Sequence, residues 1–185
     1  MTSAKNLARF IIYLIKEQMS NIQPEEFDVT PLKLQKLLYY CQGYSLALTG
    51  KKLFDERIEA WRYGPVVDSV YQEYKKYNDR IIPLSDDVHF HEIDDVTHSI
   101  VKMVVDEKGR FSGTALADAT HKEKPYTSSF KGDYTNAVIP EKLLKEFFSE
   151  QFLLREEAED DDDEFWMSVG KKVSPEQLEA VLAKI

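Results

Sequence analysis

Residues Thr30–Gly50 read TPLKLQKLLYYCQGYSLALTG, and the two ends of this stretch define a helix. Thr30 before Pro31 pairs an N-cap side chain with a first-turn proline, whose missing N–H is not needed there and whose fixed φ suits the turn. The helix is expected to run to about Leu48. Leu34, Leu37, Leu38, Cys41, Tyr44 and Leu48 give it a broad apolar face, and Gly50 stands where a left-handed C-terminal cap belongs. This segment is the expected central helix of a mainly α, compact multi-helix single domain.

Working outward, residues 3–19 place Leu7, Phe10, Ile11, Leu14 and Ile15 at helical spacing, and Asn21, Pro24 and Asp28 mark a loop. Residues 51–63 alternate irregularly and predict an extended, aromatic-rich crossing segment. Gly64 and Pro65 predict a corner, with a helix starting at the proline and running through Tyr77. A loop containing Pro83 follows, then helical spacing from Glu92 to about Glu107, ended by Gly109. Ser112 is a plausible cap for a short helix through Thr120; Pro125 and Gly132 break regularity; Pro140 opens a further helix with Leu143, Leu144, Phe147, Phe148 and Phe152 facing inward. Ser174-Pro175-Glu176-Gln177 is a capping box opening a short amphipathic helix. The expected division is a helical domain over 1–154, an acidic and aromatic segment over 155–170, and a C-terminal helix over 171–185.

Composition narrows the functional classes. The chain has 185 residues, 43% hydrophobic and 31% charged, enough for one core without staples, and no apolar run approaches the ~20 residues of a membrane span. Leu7 to Ile15 lacks the flanks of a signal peptide, and the single cysteine excludes an internal disulfide, so a reducing cytoplasm is the expected location. The net charge of −9 is concentrated in one run, Glu156, Glu157, Glu159, Asp160, Asp161, Asp162, Asp163 and Glu164, and the remainder is nearly neutral. Lysine pairs at 51/52, 75/76 and 171/172 are scattered without a stacking motif, so neither direct nucleic-acid binding nor membrane association is expected.

Catalytic constellations are sparse. His91 with Asp95, and Asp94 with His98, are spaced to share a helix face, which keeps open a metal-dependent hydrolase; the stronger reading is solvated polar residues, because no HExxH motif or second cysteine accompanies them. Cys41 and His121 are conceivable as nucleophile and base, but the thiol falls on an apolar stripe where burial would raise its pKa. No nucleophile elbow or phosphate-binding glycine loop occurs, and no cofactor is expected. The acidic run reads as a solvated tether or as a lure for a basic partner, with Phe165 and Trp166 following as anchors. Trp61 and Tyr63 suit either core packing or a contact surface, and Thr120 and His121 could serve as caps at a helix end.

Taken together, Thr30–Gly50, Leu53-Phe54-Asp55-Glu56, Glu59-Ala60-Trp61-Arg62-Tyr63-Gly64-Pro65-Val66-Val67 and Leu116–Tyr126 (LADATHKEKPY) resemble the signature of the Panacea domain, the SocA-like or phage-associated GepA-like antitoxin family. The resemblance spans roughly residues 4 to 152. Tyr126 stands where the family usually has Trp, and Cys41 where a small Ala is usual. The resemblance implies a helical domain that neutralises a cognate protein toxin by direct binding, without catalysis. A similar member instead delivers its toxin to a cytoplasmic protease, which makes a proteolytic adaptor the alternative. Carried over by position, the motif residues are Lys36, Leu37, Tyr39, Trp61, Tyr63, Gly64, Pro65, Thr120, His121 and Pro125. Leu37, Gly64, Pro65 and Pro125 are expected to be structural. Lys36, Tyr39, Trp61, Tyr63, Thr120 and His121, with Tyr71, Phe165 and Trp166 added from their chemistry, are the expected partner-binding residues.

Overall fold

The computed structural model describes residues 1–19, 29–84, 88–132 and 136–157. Its elements in chain order are α1 (Ala4–Met19), α2 (Pro31–Thr49), β1 (Glu59–Trp61), β2 (Gly64–Val66), α3 (Asp68–Tyr74), α4 (Asp95–Lys108), α5 (Gly113–Thr120), α6 (Lys124–Ser129), β3 (Ala137–Val138) and α7 (Glu141–Glu157). The fold is mainly α, with α2 at its centre, touching α1, α3, α4, α5, α7 and β2.

Both ends of α2 follow from local chemistry. Thr30 is extended at φ −91°, and its hydroxyl accepts from the Lys33 N–H at 3.3 Å; Gly50 takes φ 71°, and its N–H closes on Leu46 O. Between them α2 is buried around its whole circumference from Lys33 to Leu46, beyond the apolar stripe that its spacing announces. Buried Gln35, Lys36, Gln42 and Ser45 are bonded, whereas the Tyr39 hydroxyl is not. Gln42 accepts from the Leu53 N–H and donates to Phe54 O, while two turns earlier Gln35 accepts from the Val67 N–H at 2.8 Å and donates to Val67 O. These two glutamines fasten both ends of the crossing segment to one face of the helix.

Where the sequence suggests a helix starting at Pro65, the structure has a β-hairpin. β1 and β2 pair antiparallel with Trp61 opposite Gly64, and β3 lines the other edge of β1. Gly64 at φ 95° makes the return, Pro65 sits in an edge strand where no ladder N–H is required of it, and the helix begins at Asp68. The helix expected from Glu92 begins at Asp95, because Asp94 caps it by accepting from the Thr97 N–H at 2.7 Å, and Phe90–Glu92 form a separate 3-10 turn. His91 and Asp95 therefore do not share a helix face. Ser112 caps α5 as expected. Pro125, expected to break regularity, occupies the first turn of α6. α7 packs along α2, where Phe148 occupies the space that a Cβ at Gly43 would need. Among the described residues no helix is long and apolar enough to cross a membrane. The acidic run from residue 158 onward, Phe165, Trp166 and the capping-box helix lie outside the described residues.

Candidate functional site

The hairpin, the N-terminal half of α2 and the end of α3 enclose a cavity of about 400 Å³. Lys36, Trp61, Tyr63 and Tyr71 all line it. Trp61 and Tyr71 meet edge to face, with centroids 5.0 Å apart, and form one wall. The indole N–H of Trp61 donates to Glu59 Oε2 at 2.8 Å, which fixes the ring. Tyr63 lies in the hairpin turn, 65% exposed, with the Arg62 guanidinium 5.5 Å above its ring.

Lys36 is fully buried, and its Nζ donates to Pro65 O at 3.0 Å. Burial lowers its pKa to about 7. The hairpin fits this ammonium closely: a Cβ on Gly64 would lie 2.7 Å from Lys36 Nζ and 2.9 Å from Thr120 Oγ1. The absent side chain is thus demanded twice, by the positive φ and by the approach of Lys36.

The second motif stands behind the first. Thr120 is fully buried and donates to Ala117 O at 2.9 Å. Tyr126 is buried and donates to Trp61 O at 2.8 Å, and the half-buried His121 packs its ring 4.8 Å from Tyr126. These residues brace the hairpin from inside. Tyr39 also lies wholly inside, against Tyr40 and Phe148, as does Leu37; Gly64 and Pro65 form the buried strand β2, and Pro125 is buried. Of the expected contact residues, the structure brings Lys36, Trp61, Tyr63 and Tyr71 to one cavity, places Thr120 and His121 in its support, and buries Tyr39 in the core against Tyr40 and Phe148.

Sequence reasoning missed a polar cluster one to two turns further along α2, at Tyr40 and Tyr44. Glu107, 2% exposed, accepts from Tyr44 Oη at 2.7 Å and pairs with Lys108 Nζ at 2.9 Å. Tyr40 Oη donates to Glu123 Oε1 at 2.9 Å, and burial pushes the Glu123 carboxyl up to about 7, against the stabilising pull of the tyrosine hydroxyls and Lys108. Tyr39 Oη is near enough to feel the Glu123 charge but completes no standard hydrogen bond. Burial holds the Cys41 thiol far above its usual range, so it is inert as a nucleophile. A larger cavity, about 550 Å³, lies between the far end of α2 and the start of α4; it is lined by acids and bases together and contains none of the expected contact residues. Among the described residues no group of three or more His, Cys, Asp or Glu is placed to hold a metal ion.

The family described as antitoxin SocA-like, Panacea domain, matches residues 34–126, which hold the hairpin and both motifs. The chain belongs to this family. The Panacea match takes in every cavity-lining residue named above. Among curated proteins, the chain is similar to the antitoxin SocA of Caulobacter vibrioides, at 26% identity over 138 residues, covering 69% of this chain and 73% of that protein. No solved structure matches.

Proposed function

We propose that this Panacea-domain protein is an antitoxin that neutralises a cognate protein toxin in the cytoplasm by direct binding, with the hairpin cavity as its contact face. The convergence of Lys36, Trp61, Tyr63 and Tyr71 on one cavity carries this reading. Amphipathic rings held rigidly at a concave surface are the side chains that dominate binding energy at protein interfaces, within a patch of roughly 800 Å² per partner. Thr120 and His121 act through the hairpin they support, and Tyr39 acts from the core beneath α7. Phe165 and Trp166, outside the described residues, are proposed as further toxin contacts, and the acidic run as a lure that speeds encounter with a basic partner.

Co-expression with the toxin tests this. Trp61→Ala is expected to weaken toxin binding by about 30-fold or more, the size of a central hot spot, and to abolish rescue while the helical circular dichroism signal is retained. Rescue is expected to persist, at constant toxin level, in cells lacking the housekeeping protease. Full neutralisation by Trp61→Ala combined with Tyr63→Ala would refute the assigned face, and toxin that disappears only when the protease is present would make the chain a delivery adaptor.

A further inference from the structure

Acids outnumber bases 33 to 24 in the chain, yet every charged residue lining the hairpin cavity is basic: Lys36, Arg62 and Lys75. Buried Lys36 has the Pro65 carbonyl as its hydrogen-bond partner, and among the described residues no carboxylate stands beside it. Lys75 is exposed at the cavity's edge, and the first turn of the 19-residue α2 contributes Pro31 and Leu32 to the lining, adding the positive end of the helix dipole. Trp61 and Tyr71 supply an apolar wall beside these charges, and the exposed Tyr63 carries the surface outward past the cavity mouth.

We infer that the cavity seats an acidic segment of the toxin, one Asp or Glu carboxylate facing the basic lining and the adjoining residue resting on Trp61 and Tyr71. The inference rests on the toxin-binding reading above and names the partner chemistry at that face. Charge complementarity selects an anionic occupant. The outward reach of Tyr63 favours a peptide over a small free anion. The chain's own acidic run is the competing occupant, but the family match takes in the basic and aromatic residues of the lining, Lys36, Trp61, Arg62, Tyr63, Tyr71 and Lys75, and ends at residue 126, before that run.

The test uses the full chain and the toxin it neutralises, with affinity measured at low and high salt for the wild type, for Arg62→Glu/Lys75→Glu and for Trp61→Ala. Thermal midpoints confirm that each variant folds. The charge reversal is expected to lower affinity at least ~10-fold, chiefly through the association rate, and to flatten or invert the salt dependence. Zero-length carbodiimide crosslinking is expected to join Lys75 to an Asp or Glu of the toxin. If the charge reversal leaves affinity and salt dependence unchanged while Trp61→Ala fails to bind, the acidic-segment inference falls and the toxin-binding face stands. If neither variant affects binding, the face itself is misassigned. A Lys75 crosslink to the chain's own Glu156–Glu164 run in the presence of toxin would also overturn the inference, in favour of that run as occupant.

Discussion

Two stations along one face of α2, the front at Lys36 and the rear one to two turns on at Tyr40 and Tyr44, handle buried charge in opposite ways. At the rear station, Glu107 is met by the Tyr44 hydroxyl and the Lys108 ammonium, and that ammonium also lies 5.2 Å from the centre of the Tyr40 ring, so the charges are compensated within the fold. At the front station, Lys36 has a backbone carbonyl and, among the described residues, no carboxylate beside it, and it underlies a cavity. A compensated cluster is architecture. A buried cation met by one dipole retains the capacity to favour an anion, which is why the front, and not the more charged rear, reads as the binding face.

The largest expected effect comes from breaking the rear cluster. Glu107→Ala removes the acceptor of Tyr44 Oη and the counter-ion of Lys108, and is expected to cost about 3–5 kcal/mol of unfolding free energy, read from the urea midpoint at constant slope. Lys36→Met, close in shape, loses one hydrogen bond but removes a desolvated amine, and is expected to fall within about 1 kcal/mol of wild type at pH 7. Equal costs for the two would erase the distinction between the stations.

Next in size is Gly64→Ala, expected to cost about 2–4 kcal/mol. The added methyl needs φ 95° and lies 2.7 and 2.8 Å from Lys36 Nζ and Cε, and 2.9 Å from Thr120 Oγ1. Both the front cavity and its brace are disturbed, so toxin binding should fall more than stability alone explains. A variant as stable as wild type would show that the hairpin yields freely.

What the sequence displayed and what it hid divide along the same line. Thr30, Pro31, Gly50 and Ser112 announce their helix ends because a cap is satisfied within three or four residues. The Gly64-Pro65 corner misleads, since proline's fixed φ suits a helix start and an edge strand alike. The choice is made by Gln35, 32 residues away, which takes both backbone groups of Val67. Trp61 and Tyr63 are legible as an unusual aromatic pair, but their arrangement with Tyr71 and Lys36 around one cavity is a tertiary result. The rear cluster is illegible: Tyr44 meets Glu107 across 63 residues and Tyr40 meets Glu123 across 83, and nothing local marks either acid as buried.

The two stations also predict opposite pH responses. Glu123, raised by burial from 4.5 to about 7, keeps its proton when folded over a range where the unfolded chain has lost it; stability therefore falls as pH rises from 4.5 to 7. Lys36, lowered from 10.5 to about 7, has released its proton when folded while the unfolded chain still holds it, so stability rises from pH 7 upward. The clean window for the lysine closes near pH 9, where Cys41 and then the buried tyrosines act in the opposite sense. Each slope has a ceiling of about 1.4 kcal/mol per pH unit. Urea titrations across pH are expected to show Glu123→Gln flattening the fall and Lys36→Met flattening the rise. A slope that survives its own substitution would assign it to another group.

The smallest effect expected is that of Tyr126→Phe. The change leaves the ring, its stacking on Phe130 at 5.3 Å and its contact with His121 intact, and deletes the hydroxyl that donates to Trp61 O at 2.8 Å. Its cost is expected to be about 1 kcal/mol, one hydrogen bond, from the urea midpoint. The toxin measurement is more informative than the stability here. Tyr126 is buried and does not line the cavity, so its expected effect on binding is through the position of Trp61. A binding loss that exceeds the stability loss would show that the second motif aims the aromatic wall of the first. Equal, small losses in both would reduce the brace to one more contact of the core.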